Sequence, residues 1–180
     1  MEIQRISIVG TTGSGKSTLA RKLGQALDIP VTELDALFWG PDWTSVSDAQ
    51  LSNRVRDAVA GERWVIEGGY SRVRPQIWGR ADTVIWLDYS FPVNFARLAQ
   101  RTARRILFRE SLWSGNRESL QRTFSRDSIL VWMIKTHGPN KKKFAAQFAQ
   151  PEYAHLNVRR FRSPRQTDAW LREVSSKRRR

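Results

Sequence analysis

The chain has 180 residues, of which 40% are hydrophobic and 27% are charged, as is typical of one soluble globular domain with a sizeable core. It contains no cysteine, no long apolar run such as a spanning helix needs and no secretory signal in MEIQRISIVG, so we expect a cytoplasmic protein without a membrane partner. The 31 Lys and Arg residues against 17 Asp and Glu give a net charge of +14, which predicts a polyanionic partner: nucleic acid, a membrane surface or nucleotide phosphates.

Short apolar runs alternate with helical patterns along the chain. Runs such as TVIWL are apolar without alternation, as expected for strands covered on both faces. The sequence predicts strands at Ile3–Val9, Val31–Leu34, Trp64–Ile66, Thr83–Leu87 and Leu156–Phe161. It predicts helices at Lys16–Leu27, Asp48–Ala60, Pro92–Leu107, Arg117–Lys135 and Pro164–Ser175, with helix-capping residues at Ser47 and Ser163. The alternation predicts one α/β domain over residues 1–180, a parallel sheet wrapped by helices, with a basic tail at 176–180.

The most specific motif lies between the first strand and the first helix. GTTGSGKS fits the pattern G-x-x-x-x-G-K-[ST], the phosphate-binding P-loop. The glycines let successive backbone N–H groups point at a phosphate, and the helix N-terminus adds its dipole. Lys16 is expected to reach the β and γ phosphates, and the Ser17 hydroxyl to ligate Mg²⁺. The nucleotide-binding residues predicted here are Gly10, Thr12, Gly13, Ser14, Gly15, Lys16, Ser17 and Thr18.

Acidic residues follow two of the later strands. Glu67 comes after WVI and Asp88 after VIWL, and either carboxylate is placed to hold a Mg²⁺-bound water. The alternative for each is an acid that caps a turn. Glu67 is preferred because Ser71, Arg72 and Arg74 follow it closely and place basic side chains beside the same strand end.

Asp35 ends the second strand, in ELDALFW. Ligands of open α/β sheets bind outside the carboxyl ends of the strands, so this acid and the P-loop are expected to face one crevice. There it would accept a proton from a substrate hydroxyl or support the metal, whereas the alternative is a helix cap for ALFW. Phe38, Trp39 and Trp43 are either stacking surfaces for a flat substrate or core residues.

In order and wording, the P-loop, LDALFW, EGGYSR and LDYSFPVNFARLAQR resemble the adenylate-kinase-like nucleotide and nucleoside kinases. The sequence of these motifs is most similar to that of the bacterial topology-modulation proteins of that family. The resemblance implies a P-loop fold of the nucleoside monophosphate kinase type, with five parallel strands in the order 2-3-1-4-5. It also implies ATP and Mg²⁺ as cofactors, with Ser17 and Glu67 at the metal.

The same resemblance implies roles for other residues. Arg72 matches an arginine that contacts the acceptor phosphate, and Arg97 and Arg101 match two arginines that hold the nucleotide. Phe38, Glu67 and Tyr70 would then line the acceptor side with Asp35, while Arg162 and Pro164 would lie by the adenine. The stretch RRILFRESLWSGNRESLQRTFSR does not align with an adenylate kinase lid, and Asp35 resembles the base of kinases that phosphorylate hydroxyls.

Arginines recur every four residues after the fourth strand. Arg97, Arg101 and Arg105, continued by Arg109 with Arg104 beside them, would form one helical stripe. Such like charges repel unless an anion neutralises them, and a triphosphate would do so in the transition state, giving Arg101 and Arg105 a catalytic role beside Lys16 and Asp35. The alternative is a solvated face partly paired with Glu110 and Glu118. We expect a lid-like insertion around 101–126 with its tip at Gly115 and Asn116.

Two basic clusters, at 141–143 and 177–180, lie outside the predicted crevice and are expected to be solvated. His137 and His155 have no spacing that indicates a metal site or a triad. The sequence therefore predicts a phosphotransferase that uses ATP and Mg²⁺ on an unidentified small acceptor. The alternative is an ATP-binding regulator that touches DNA, which a basic stripe away from the crevice would favour.

Overall fold

Five parallel strands form one sheet at the centre of the protein. The computed structural model describes residues 3–108, 110, 112–116 and 128–177. The strands, β1 to β5 in chain order, are Arg5–Gly10, Val31–Glu33, Trp64–Glu67, Thr83–Leu87 and Asn157–Phe161. Their order in the sheet is β2-β3-β1-β4-β5, and all four pairings are parallel. The predicted fold class and strand order are confirmed.

Helices cover both faces of this sheet. In chain order, α1 to α7 are Lys16–Leu27, Leu34–Phe38, Asp48–Ala58, Arg74–Trp78, Phe91–Leu107, Ile129–Phe148 and Pro164–Lys177. One buried cluster joins the sheet to α3, α4 and α6 through Leu51, Ile77 and Phe144, among others. The other joins the opposite face to α1 and α7 through Leu23 and Trp170. Strands β3 and β4 are buried along their whole length because both clusters cover them.

Local capping fixes where two of the helices begin. The Ser47 hydroxyl accepts a hydrogen bond from the Gln50 N–H at 3.2 Å, and the Gln50 side chain accepts one from the Ser47 N–H at 3.0 Å, which closes the capping box before α3. Before α7, the Ser163 hydroxyl accepts from the Gln166 N–H at 3.4 Å. The Gln166 side chain instead accepts from the Arg162 N–H, so the reciprocal half of the box is absent there.

Several predicted boundaries were wrong. Strand β2 ends at Glu33 because Leu34 begins the short helix α2, and β3 extends to include Glu67. The helix predicted to end at Lys135 continues as α6 to Phe148, through Pro139, whereas 117–127, its predicted first part, lies outside the described residues.

The extension of α6 is explained by packing. Phe148 stacks on Trp78 with ring centroids 4.9 Å apart and contacts Trp86 at 5.5 Å, so burial of aromatic surface outweighs the helix-breaking tendency of a proline.

Within the described part of the chain, none of the helices has the length and apolar character required to cross a membrane.

Candidate active site

The P-loop, residues 10–17, joins the carboxyl end of β1 to the N-terminus of α1. Gly13 has φ 84° and Gly15 has φ 91°, the left-handed region that glycine adopts readily. A Cβ atom at Gly13 would lie 2.4 Å from the Asn94 carbonyl oxygen, and one at Gly15 would lie 3.2 Å from the Arg97 guanidinium. Gly13 is therefore required by its conformation and by the close approach of the α5 backbone, and Gly15 is required by its conformation.

Lys16 is half-buried at the first position of α1. Its ammonium donates a hydrogen bond to the Thr11 carbonyl at 3.2 Å, within the loop itself. Burial lowers the pKa of Lys16, the carboxylates of Glu67 and Asp35 oppose that shift, and Arg101 adds to it. The ammonium thus sits among charges from three different elements, which the sequence had predicted to share one crevice.

Ser17 and Glu67 meet directly. The Ser17 hydroxyl donates to Glu67 Oε1 at 2.7 Å, and the Glu67 side chain is buried. Burial raises the pKa of the Glu67 carboxyl, as do the charges of Asp35 and Glu33, while Lys16 and the Ser17 hydrogen bond lower it. Glu33 and Glu67 are register partners on β2 and β3, so two carboxylates lie side by side at this edge.

These oxygens fit a magnesium ion. Mg²⁺ is held in phosphotransferases by one or two protein oxygens together with substrate phosphates and water. The Ser17 hydroxyl and the Glu67 carboxylate supply such oxygens, and neighbouring carboxylates that repel one another gain from a cation between them. The glycine cradle and Lys16 fit the phosphates of a nucleotide.

Asp35 lies in the first turn of α2 and is held from another loop. Tyr70 lies in the loop after β3, and its hydroxyl donates a hydrogen bond to Asp35 Oδ1 at 2.6 Å. Burial and the Asp35 charge raise the pKa of Tyr70, so the phenol stays protonated and remains a donor. Glu33 occupies the N-cap position of α2, and therefore the alternative interpretation of Asp35 as the helix cap is wrong. The structure brings Asp35, Tyr70 and Glu67 together as the sequence predicts.

An aromatic wall adjoins Asp35. The Phe38 ring contacts Trp39 at 4.8 Å and Tyr70 at 4.9 Å between centroids, and Trp39 contacts Trp43 at 5.7 Å. Phe38, Trp39 and Trp43 are only half-buried, so they are neither deep core nor isolated surface residues. Stacking of a substrate on this wall stays a prediction.

The arginine stripe lies on α5 and is only partly directed at the P-loop. Arg97 lies over Gly15, with its guanidinium 5.9 Å from the Tyr89 ring, and Arg101 influences Lys16. Arg105 is half-buried one turn further on, in line with both. Arg104 instead pairs with Glu110 at 3.0 Å, as the solvated alternative predicts. Arg109 and Glu118 lie outside the described residues.

The remaining predicted site residues differ in their exposure and contacts. Arg72 forms an ion pair with Asp48 at the start of α3, and both side chains are exposed. Thr18 and Arg162 are exposed and Pro164 is half-buried at the start of α7, whereas Thr12 and Ser14 lie within the P-loop. The roles of Arg72, Arg162 and Pro164 stay predictions.

Asp88 has a structural environment. Its Oδ2 accepts from Arg160 at 2.9 and 2.6 Å, and its Oδ1 pairs with Lys141 at 3.3 Å. Asp88 thereby ties α6 and β5 to the end of β4, which favours Glu67 as the metal carboxylate. Residues 141–143 are exposed, as expected, although the Lys141 ammonium also reaches Asp88. Each histidine contacts a backbone carbonyl, His137 that of Tyr89 and His155 that of Trp78.

Sequence reasoning missed Glu33, Trp113 and the contacts of Asn116. Glu33 alternates with Asp35, which was the only signal available for it. The Trp113 indole N–H donates to Glu33 Oε2 at 2.9 Å across 80 positions in sequence, a contact that no local pattern reveals.

Sequence comparison identifies a kinase relative of this chain. No family model matches the sequence. A shikimate kinase from Rhodococcus jostii (strain RHA1) is 30% identical to this chain over 116 residues, which span 56% of the chain and 68% of that enzyme.

Solved structures share the fold. Shikimate kinase from Bacteroides thetaiotaomicron superimposes with a TM-score of 0.55 and 17% identity, over 97% of this chain and 98% of the other. A gluconokinase from Sinorhizobium meliloti 1021 gives a TM-score of 0.54 and 16% identity, over 96% and 90%. At these identities the likeness concerns the fold, and it matches the five-stranded sheet described above.

Proposed function

The chain belongs to the family of P-loop kinases that contains shikimate kinase, and from this premise we propose that it transfers the γ-phosphoryl group of ATP to a hydroxyl of a small acceptor, with Mg²⁺ as cofactor. The protein is a small-molecule phosphotransferase, and the comparisons give no support to a DNA-associated regulator. The narrower resemblance to topology-modulation proteins remains a prediction.

One observation carries the proposal. Two carboxylates, Glu67 at the end of β3 and Asp35 on α2, interact electrostatically with the P-loop lysine. Both charges raise the pKa of Lys16. A site that only binds nucleotide needs Lys16 and Glu67. The third group, Asp35, lies on α2 and accepts a hydrogen bond from the Tyr70 hydroxyl.

On the donor side, the backbone N–H groups of residues 13–17 and the Lys16 ammonium would bind the β and γ phosphates. Arg97 lies over Gly15 and would add positive charge to the same phosphates, and Arg101 would do so beside Lys16. Ser17 and Glu67 would hold Mg²⁺, which when bound neutralises phosphate charge and orients the transferred group.

On the acceptor side, Asp35 would take the proton of the attacking hydroxyl. The acceptor oxygen forms its bond to the γ phosphorus as the bond to the β–γ bridging oxygen breaks, and ADP leaves with that oxygen. Tyr70 donates to Oδ1, while Oδ2 accepts no hydrogen bond from the residues that the structure describes. Oδ2 is thus the oxygen suited to the hydroxyl proton.

The test is transfer from γ-labelled ATP with Mg²⁺ to a panel of acceptors: shikimate, gluconate, nucleosides and nucleoside monophosphates. We expect one hydroxyl compound to be labelled. A Lys16→Ala variant should lose the label, which excludes a contaminating kinase, whereas Lys22→Ala on the exposed face of α1 should retain it.

Labelling of nucleoside monophosphates on phosphate, with no hydroxyl compound labelled, would contradict the role of Asp35 and favour a nucleotide kinase. Absence of any labelled acceptor, together with salt-sensitive binding of duplex DNA, would contradict the proposal as a whole.

A further inference from the structure

A short segment far along the chain is fastened to the acceptor side. Residues 112–116, here called the clasp, lie against the loop 39–45 that follows α2. Asn116 is 6% exposed, and its side chain makes three hydrogen bonds: Oδ1 accepts from the Trp43 N–H at 2.9 Å, and Nδ2 donates to the carbonyls of Gly40 at 2.9 Å and Trp113 at 2.8 Å. A single amide side chain therefore ties the clasp to the loop.

Two further hydrogen bonds extend the contact. The Ser114 hydroxyl donates to the Trp39 carbonyl at 2.9 Å, and the Trp113 indole donates to Glu33, the carboxylate beside Glu67. The clasp thereby reaches both the aromatic wall and the metal-side strand edge.

The backbone on both sides of this contact is strained. Asp42, Trp43 and Ser114 all have positive φ, at 53°, 57° and 57°, although none of them is glycine. Such conformations persist only where surrounding contacts impose them, and they concentrate at functional sites. The hydrogen bonds of Asn116 and Ser114 meet the loop at Trp39, Gly40 and Trp43, on either side of Asp42.

The loop held by the clasp is continuous with the candidate base. The Trp39 N–H donates to the Asp35 carbonyl at 3.0 Å, which ends α2. The Phe38 ring contacts both Trp39 and Tyr70, and the Trp39 indole also interacts with the Tyr70 hydroxyl. Tyr70 in turn donates to Asp35. Movement of Trp39 would therefore disturb Tyr70 and Asp35 together.

We propose that Asn116 is a positioning residue for phosphoryl transfer, which acts through the clasp and Trp39 to hold the Tyr70–Asp35 pair. This inference rests on the proposed function of Asp35. It requires no direct contact of Asn116 with substrate. Misplacement of a base by a fraction of an ångström is enough to slow a positioned reaction.

The first test needs no acceptor. Hydrogen–deuterium exchange followed by mass spectrometry compares the wild-type protein with Asn116→Ala and with Asn157→Ala, a matched asparagine exposed on β5. Asn116→Ala should increase exchange at 38–46, where the Trp43 N–H loses its acceptor, and also at 68–72, the loop that carries Tyr70. Asn157→Ala should leave both unchanged.

The second test uses the hydroxyl acceptor labelled in the assay above. Asn116→Ala should lower kcat roughly tenfold, with the KM for ATP unchanged, because the P-loop is not part of the clasp. Asn116→Asp keeps the acceptor for the Trp43 N–H but loses both donors. Its kcat should therefore lie between that of the wild type and that of Asn116→Ala.

Faster exchange confined to 38–46, with 68–72 unchanged, would show a local structural contact and overturn the proposal. An unchanged kcat would overturn it equally. If Asn116→Ala fails to fold, Ser114→Ala replaces it, because this change removes only the hydrogen bond to the Trp39 carbonyl. Hydrogen–deuterium exchange at 38–46 and 68–72 is then compared in the same way. Because the exchange result does not depend on transfer, failure of the proposed function is distinguishable from failure of this inference.

Discussion

The proposed donor side and the proposed acceptor side of the site are assembled by different means. The donor side is a loop of eight consecutive residues, 10–17, whose shape is set by glycine backbone conformations and whose partner α1 follows at once. The acceptor side gathers Asp35, Tyr70 and Asn116 through side-chain hydrogen bonds that span 35 to 76 positions in sequence.

The two means of assembly differ in how far each tolerates substitution. A backbone cradle recognises phosphate whatever is attached to it, so it need not vary. Side chains on α2, on the loop after β3 and on the clasp are replaceable one at a time without disturbing the sheet. The same fold is found in solved structures of a shikimate kinase and a gluconokinase.

Removal of the donor-side charge is expected to have the largest effect. Lys16→Ala should lower phosphoryl transfer by at least about a hundredfold, because a preorganised cation on the transferred group is lost. Steady-state transfer from labelled ATP measures the effect. Lys22→Ala, with the same change on the exposed face of α1, should stay close to wild type, and an equal loss in both variants would contradict the assignment.

The metal carboxylate is expected to have the next largest effect. Glu67→Gln keeps the size and an acceptor for the Ser17 hydroxyl but removes the charge, so the Mg²⁺ concentration for half-maximal transfer should rise about 10–100-fold. Mg²⁺ titration at saturating ATP gives this value. An unchanged Mg²⁺ requirement would remove Glu67 from the metal site.

The glycine cradle is tested by stability. Gly13→Ala should cost about 1–3 kcal/mol of unfolding free energy, since the backbone conformation is left-handed and the new Cβ would collide with the Asn94 carbonyl. Gly61→Ala, whose Cβ would lie 3.9 Å from its nearest neighbour, should change stability by less than about 1 kcal/mol. Urea denaturation monitored by circular dichroism compares them, and equal values for the two variants would mean that the P-loop is less constrained than described.

The smallest effect concerns pH. Burial raises the pKa of Glu67 above its ordinary 4.5, so ionisation of this carboxyl opposes folding. The stability that the protonated Glu67 carboxyl contributes to the fold is fully present below pH 4.5. It is lost as the pH rises through the raised pKa. Without Mg²⁺, Glu67→Gln should therefore match or exceed the wild-type Tm at pH 7, and the difference should vanish near pH 4. A lower Tm for the variant at pH 7 would contradict the cause given for the shift.

Much of the donor side could be predicted from sequence because its determinants are local. The P-loop and the exact bounds of α1 follow from a contiguous motif, and the apolar runs of β3 and β4 mark strands covered on both faces. The strand order came from family resemblance, since no local pattern encodes it.

The remainder depended on contacts between distant residues. Helices α2 and α4 have five residues each, too few for a helical period to show. The helix predicted to end at Lys135 continues through Pro139, because the packing of Phe148 on Trp78 and Trp86 keeps α6 helical. Asp35 and Glu67 were found because they follow strands, whereas Trp113 and Asn116 act through contacts that only the folded chain creates.

The most direct test of the account separates nucleotide binding from transfer at Asp35. With the labelled hydroxyl acceptor, Asp35→Asn should lower kcat about a hundredfold or more, while the Kd for ATP stays within twofold of wild type; Asp57→Asn, exposed on α3, should alter neither. Transfer that persists in Asp35→Asn, or a parallel loss of ATP affinity, would contradict the claim that Asp35 is the base of a separate acceptor side.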